Sequence, residues 1–445
     1  MPDINQKNGI DMANIASING QGIPAGGYDA STDTGTFTED LPDTNTGMIY
    51  YGGSYHVGRD ENSFIKAVRV LYSSDKDGVF GIVKQNSKNW TKFETNSSSF
   101  AGIDTDGKLW MMGSSTGNTH QQSDVETLTQ VTGVGDSDTG WTDVSVGEYH
   151  VMAINSGKLY GLGRNNEKQL GFSSGNTYST LTQVGTDSDW QFVSCGARFT
   201  TAVKGSSGSM ALYSSGQNYV GSTGQGTTSG NTNGFTEALA SDSDDYTFIL
   251  SAADGSMAIK GGKVYMCGSG TSERLGNDST ANVTSFTQTG KTDATTFGTN
   301  WVGGTFGNRN NTHLINSSGE LWFAGNGGNG RRGDGLGTHA FDGHHVKVSQ
   351  AGDNWTLICK NTWAGSTSGN FMRHAGINNG RLYVWGFFQS NSSQFGTATE
   401  QTATQPTATL VDNTNTCSYA VLDYSTGVGG GGAPSNYGLL AAFNT

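Results

Sequence analysis

Seven copies of one short pattern, Gly-x-aliphatic-aromatic-x-x-Gly, recur along this 445-residue chain at intervals of roughly 50 to 60 residues. They run Gly47–Gly53, Gly107–Gly113, Gly157–Gly163, Met210–Gly216, Gly262–Gly268, Gly319–Gly325 and Gly380–Gly386, and only the fourth departs, with Met210 in place of the first Gly. A period of this length assigns one supersecondary unit to each repeat. No such unit can bury its apolar face alone, so neighbours must stack.

The fullest unit opens at Trp141 and reads as three short strands separated by Gly and Ser-Gly turns; others open at Trp90, Trp190, Tyr246, Trp301 and Trp355. A further Gly often follows the motif at a fixed distance: Gly163 to Gly171, Gly216 to Gly224, Gly268 to Gly276 and Gly325 to Gly333. Such a Gly marks positive φ or a close backbone approach. Long windows of helical period are missing, and the many glycines would each weaken a helix interior by about 1 kcal/mol. Repeated short strands close most economically as a propeller, which leaves only short, protected edges. At the C-terminus, Leu440–Thr445 matches Val151–Ser156 and then lacks the following strand, which Gly47–Gly53 can supply. Six complete units and one shared between the termini predict an all-β, seven-bladed propeller over residues 47–445, preceded by an extended arm, residues 1–46.

At Gly147–Ile154 (Gly-x-x-His-x-x-Ala-Ile), the Gly157-Lys-Leu-Tyr160 strand and the Gln169-Leu-Gly171 turn, the chain resembles the regulator of chromosome condensation repeat family. The resemblance implies a seven-bladed propeller with about four strands per blade. It implies little about function, because members of this fold exchange nucleotides, inhibit enzymes, sense light or simply bind.

Charged residues make up only 14 %, and Lys+Arg 25 against Asp+Glu 38 leaves the balance acidic. Neutralising nucleic-acid phosphates takes clustered Lys and Arg, whereas the densest basic spot here is Arg331-Arg332 and the arm carries Lys7 against seven acidic residues. Nucleic acid is therefore not an expected partner. No stretch reaches the roughly 20 apolar residues of a membrane span, and the first residues lack the basic and apolar runs of a signal peptide. Cys195, Cys267, Cys359 and Cys417 fall in different units, which points to buried thiols in a cytoplasm.

The arm repeats Asn8-Gly-Ile10 as Asn19-Gly-Gln-Gly-Ile23 and carries Met12, Ile15 and Ile18 between them. Apolar side chains at that density suit docking onto a partner, with Ile10, Met12, Ile15, Ile18 and Ile23 as the contact residues and 26–46 as a linker. The arm resembles the starts of virion structural proteins of tailed bacteriophages, and that resemblance implies other virion proteins as partners and a virion assembled in a bacterial cytoplasm.

Acidic turns precede three unit openings: Asp136-Ser-Asp138, Asp187-Ser-Asp189 and Asp242-Ser-Asp244-Asp245. Two carboxylates one residue apart could chelate calcium with added carbonyls, but none has the full Asp-x-Asp-x-Asp-Gly loop, and Asp and Ser stabilise turns unaided. No cofactor is expected. His150 occupies the repeat position of Phe199, so it reads as a packing residue, and His313 and His374 fall slightly later in their own strands. No nucleophile, base and metal-ligand set converges in the repeat register, so no enzyme activity is expected. Surface binding falls to the loop from Asn326 to His345, with Arg331, Arg332, His344 and His345, and to Trp363, a side chain able to stack on a sugar ring.

These features set the expectation of a non-enzymatic virion structural protein, anchored by its arm and presenting a propeller for interaction. A carbohydrate-binding adhesin recognising host glycans is the alternative, and a nucleotide-exchange factor for a small GTPase the weaker alternative.

Overall fold

A computed structural model of the chain describes residues 48–53, 81–83, 90–96, 99–113, 125–307, 310–335, 341–348, 352–360, 372–387, 404–410, 416–425 and 436–444, all within one compact unit, Asp40–Thr445. Strands β1 (Met48–Gly53) and β2 (Gly81–Val83) come first. Blade 1 then comprises β3 (Trp90–Asn96), β4 (Ser99–Asp104), β5 (Leu109–Gly113) and β6 (Val125–Gln130). Blade 2 has β7 (Trp141–Val146), β8 (His150–Asn155), β9 (Lys158–Arg164) and β10 (Thr177–Gln183). Blade 3 has β11 (Trp190–Cys195), β12 (Phe199–Lys204), β13 (Ala211–Gln217) and β14 (Asn231–Leu239), and blade 4 has β15 (Tyr246–Ser251), β16 (Gly255–Lys260), β17 (Lys263–Gly268) and β18 (Val283–Gln288). Blade 5 has β19 (Trp301–Gly307), β20 (Asn311–Asn316), β21 (Leu321–Asn326) and β22 (Phe341–Lys347), and blade 6 has β23 (Trp355–Ile358), β24 (Met372–Asn378), β25 (Arg381–Phe387) and β26 (Thr404–Leu410). The last strands are β27 (Thr416–Ser425) and β28 (Asn436–Asn444).

The propeller therefore has six blades, not the seven expected, each an antiparallel four-strand sheet drawn from one contiguous stretch. The end strands do not build a further unit of that kind. They join as a closing sheet in the order β2-β1-β28-β27, two strands from each end of the chain, with Tyr50 opposite Ala441 and β27 lying against β24 and β3. The seven motif copies count strands of one type, and the first copy, β1, belongs to this composite sheet rather than to a blade.

Each blade opens with a buried aromatic, and in blades 2, 3, 5 and 6 it packs on the aromatic of the repeated motif. Trp141 meets Tyr160 edge-on with ring centroids 5.7 Å apart, Trp190 meets Tyr213 at 5.8 Å, and Trp301 meets Trp322 at 5.9 Å. Edge-to-face pairs at such distances add about 0.5–1.5 kcal/mol to the burial itself.

Three kinds of hydrogen bond recur between neighbouring blades. First, the N–H of the opening aromatic donates to the first Gly of the previous motif: Trp141 to Gly107, Trp190 to Gly157, Trp301 to Gly262 and Trp355 to Gly319, at 2.9–3.2 Å. That explains the Gly. Gly157 has φ 79° and a Cβ there would lie 2.2 Å from the Ser188 carbonyl oxygen. Where Met210 replaces it, the Asp245 carboxylate instead accepts from the Gly208 N–H and the Ser207 hydroxyl. Second, an oxygen four residues past the opening aromatic accepts from the next inner strand: Glu94 from Val146 N–H at 2.9 Å, Ser145 Oγ from Cys195 N–H at 2.8 Å, and Ser194 Oγ from Ser251 N–H at 2.8 Å. Third, the carbonyl two residues before the second Gly accepts from the following blade: Thr200 to Gln169 at 2.7 Å, Ser256 to Ser222 at 2.8 Å, Thr312 to Arg274 at 2.6 Å, and the Trp385 indole to Arg331 at 3.0 Å.

Leaving one buried partner of such a bond unsatisfied costs about 1–3 kcal/mol. Ser194→Ala is expected to lower the unfolding free energy by about that amount, whereas Ser137→Ala in an exposed turn stays within about 0.5 kcal/mol. Urea titrations of the two variants test this, and equal midpoints for both would contradict it.

Candidate functional site

The residues singled out in the sequence are dispersed by the fold. Arg331 and His345 are buried, 4 % and 0 % exposed, and are not surface groups. Arg331 follows the short 3-10 turn Gly328–Gly330, and its backbone carbonyl is the acceptor for Trp385. His345 lies on β22, where its Nε2 sits 3.0 Å from Thr312 Oγ1. That hydroxyl donates to the Arg274 carbonyl, so the imidazole is the donor and carries its proton on Nε2. Arg332 is half-buried and pairs with Asp334 at 3.2 Å and Asp342 at 3.3 Å. His344 is the more open of the two histidines, with Nδ1 3.1 Å from Asp278. Trp363 and the arm residues Ile10, Met12, Ile15, Ile18 and Ile23 lie outside the described residues.

The acidic turns meet lysines. Asp136 pairs with Lys158 at 2.8 Å, Asp187 with Lys204 at 2.5 Å, Asp242 with Lys260 at 3.0 Å and Asp244 with Lys263 at 3.2 Å. Among the described residues no group of three or more His, Cys, Asp or Glu is placed to hold a metal.

A buried ionic cluster crosses the centre of the ring. Lys360, just past β23 in blade 6, reaches Glu94 of blade 1 at 2.9 Å and Ser145 of blade 2 at 3.0 Å. Ser145 donates to Glu94 at 2.7 Å. Lys92 pairs with Asp143 at 2.5 Å, and the second Asp143 oxygen accepts the Val193 N–H at 2.8 Å. Burial pushes the Glu94 pKa up, but Lys360, Lys92 and the Val146 N–H outweigh it and hold the carboxyl below its usual range. Two cations and two carboxylates balance within the cluster. Its charged groups come from three blades and the Val193 backbone donor from a fourth, which makes it a structural lock. Repeat spacing alone could place Lys92, Asp143 and Glu94 on inner strands, but the reach of Lys360 follows only from ring closure.

Burial also accounts for the other titratable groups. His150, His313 and His345 are held at a pKa of about 3 and His374 well below the usual value, in each case first by desolvation. The Cys195 thiol is pushed up to about 12 by burial. Cys195 and Cys267 are unbridged, and Cys359 is buried as well.

One face carries a different surface. Tyr149, in the loop after the inner strand of blade 2, lies by two guanidiniums, Arg164 at the end of β9 at 5.2 Å and Arg198 in the loop after the inner strand of blade 3 at 6.0 Å from its ring centroid. Arg164 pairs with Glu167 at 2.6 Å and Arg198 with Glu148 at 3.3 Å. In the loop after β13 on the same side, Tyr219 is 57 % exposed, the most open large apolar side chain among the described residues. Its neighbour Val220 has φ 54°, an uncommon conformation for a β-branched residue. Repeat reasoning missed this patch because the loops differ from unit to unit.

The fold is an all-β propeller that carries a regulator of chromosome condensation (RCC1) repeat, whose pattern matches residues 156–203. No curated protein matches the chain in sequence. Among solved structures, human WBSCR16 is similar at 14 % identity and TM-score 0.65, over 89 % of this chain and 99 % of that one. Prp20p of Saccharomyces cerevisiae is similar at 13 % identity and TM-score 0.64, over 90 % and 93 % of the two chains. At such identity the likeness is one of fold.

The buried histidines set a pH dependence. His150, His313 and His345 stay neutral in the folded state down to a pKa of about 3, whereas an unfolded imidazole titrates near 6.5. Between those values the unfolded chain binds more protons, so stability falls as pH drops below about 6.5. Urea midpoints measured from pH 7.5 to pH 5 should decline steadily, with proton uptake on unfolding. A flat profile across that window would contradict the assignment.

Proposed function

We propose that this chain is an RCC1-like, protein-binding propeller whose partner is a small GTPase, and that it promotes exchange of the bound nucleotide. The observation that carries the reading is the surface of Tyr149, Arg198 and Tyr219 on loops of blades 2 and 3, with Arg164 at the adjoining end of β9. Tyr and Arg are the side chains enriched at binding hot spots, and here they stand on one edge of a hydrogen-bonded ring. The shared fold supports the choice of partner class, since yeast Prp20p is described with binding to Gsp1p and histones. Exchange makes and breaks no covalent bond, which suits a chain whose described histidines, apart from His344, are buried.

The virion role drawn from the arm has no support in the comparisons, and its residues lie outside the described ones. The glycan reading loses Arg331 and His345 to the interior.

Release of labelled GDP from a panel of small GTPases tests the proposal. At least one should exchange faster with the full chain present, and Arg198→Ala and Tyr219→Ala should each weaken the effect about tenfold, the scale of one hot-spot contact. Absence of binding to every GTPase tried, or variants that match the parent, would remove this reading.

A further inference from the structure

Arg274 and Arg331 occupy the same repeat position in blades 4 and 5, two residues before Gly276 and Gly333 respectively. Both are buried, 1 % and 4 % exposed, and both backbone carbonyls accept the bond from the following blade. Their guanidiniums are treated differently. Arg274 donates from Nε to the Ser269 carbonyl at 2.7 Å and from Nη2 to the Asp254 carboxylate at 2.7 Å. Arg331 makes one long bond, Nη1 to the Asn326 carbonyl at 3.4 Å, and its Nε has no partner.

Backbone register identifies the cause. The Ser269 N–H donates to the Asp254 carbonyl and the Asn326 N–H to the Asn310 carbonyl, both at the strand crossing where β16 or β20 begins. Asn310 therefore stands where blade 4 has Asp254. The acidic groups that pair on the Arg331 side, Asp334 and Asp342, are held by Arg332. His374 adds a buried Nε2 without a partner, and its ring packs 4.5 Å from His313 and 5.7 Å from Trp385. Burial pulls the Arg331 pKa down to about 10, still charged at neutral pH. An uncompensated charge of this kind is strongly destabilising unless an anion accompanies it.

We infer that Arg331, with His374 beside it, binds a small carboxylate at the seam between blades 5 and 6, the ligand supplying the group that Asp254 gives to Arg274. A planar carboxylate matches the guanidinium fork, and the blade frame already accommodates one at Arg274. The Asp254 side chain is 8 % exposed, and Asn310, at the corresponding position in blade 5, is half-buried. A free ion and an acidic side chain from outside present the same chemistry there.

Thermal unfolding of the full chain in sodium formate, against sodium chloride at equal ionic strength, tests the site, with a short peptide bearing one Asp as a second arm. A saturable rise in Tm of about 2–3 °C is expected at a hundredfold excess over Kd. Response to formate assigns a free ion, response to the peptide alone assigns a partner's side chain, and either supports a carboxylate site. Asn310→Asp should raise Tm in chloride and abolish the response, because the chain then supplies its own carboxylate. Arg331→Gln should abolish the response too. Indifference of the parent chain to both ligands, or an Asn310→Asp variant that still responds fully, would overturn the inference.

Discussion

The hydrogen bond from one blade to the next is the interaction on which this ring depends. A four-strand blade has two faces to bury and little apolar surface of its own, so its stability resides in its neighbours. Apolar packing between blades is non-directional and would tolerate sliding. The backbone-to-Gly, side-chain-to-strand and strand-to-turn bonds are directional, and they set the register of each blade against the last. The blade aromatics then pack between sheets already held in place.

The ionic cluster at the centre follows from the same geometry. Inner strands converge, so side chains from distant parts of the sequence come within reach, and Lys360 spans 266 residues to meet Glu94. Charges at such a point must balance, because isolated burial is prohibitive. The Arg331 seam shows the opposite case, in which the repeat keeps the cation and loses the acid. Sequence drift within a repeat is thus a direct source of candidate binding chemistry: the frame is retained while one partner is exchanged.

Much of the architecture was legible. The repeated motif marks the third strand of each blade, and the opening aromatics mark the first. His150 reads correctly as a packed residue because its position is filled by Phe199 one unit later. The number of blades was misread, since a strand motif near the N-terminus counts as a repeat whether or not it begins a contiguous unit. His345 was placed on the surface because the fourth strand has no motif of its own. In the structure it lies three residues past the partner of Gly325, where blades 3 and 4 carry Phe235 and Phe286. Arg331 could have been read from the register that aligns it with Gln169 and Arg274. The blade-to-blade bonds stayed hidden for a different reason: Ser145, Ser194 and Thr200 look like surface residues in a chain so rich in Ser and Thr, and only the closed ring shows them to be buried.

Native-state amide hydrogen exchange at Val146, Cys195 and Ser251 measures the blade-to-blade bonds directly, because each of these N–H groups donates to a side-chain oxygen of the preceding blade. The account predicts that all three exchange only through global unfolding, with the same free energy as the interior amides of β8 and β12. Exchange at these positions by local opening, several kcal/mol below the global value, would show that the blades are held by packing alone and would contradict it.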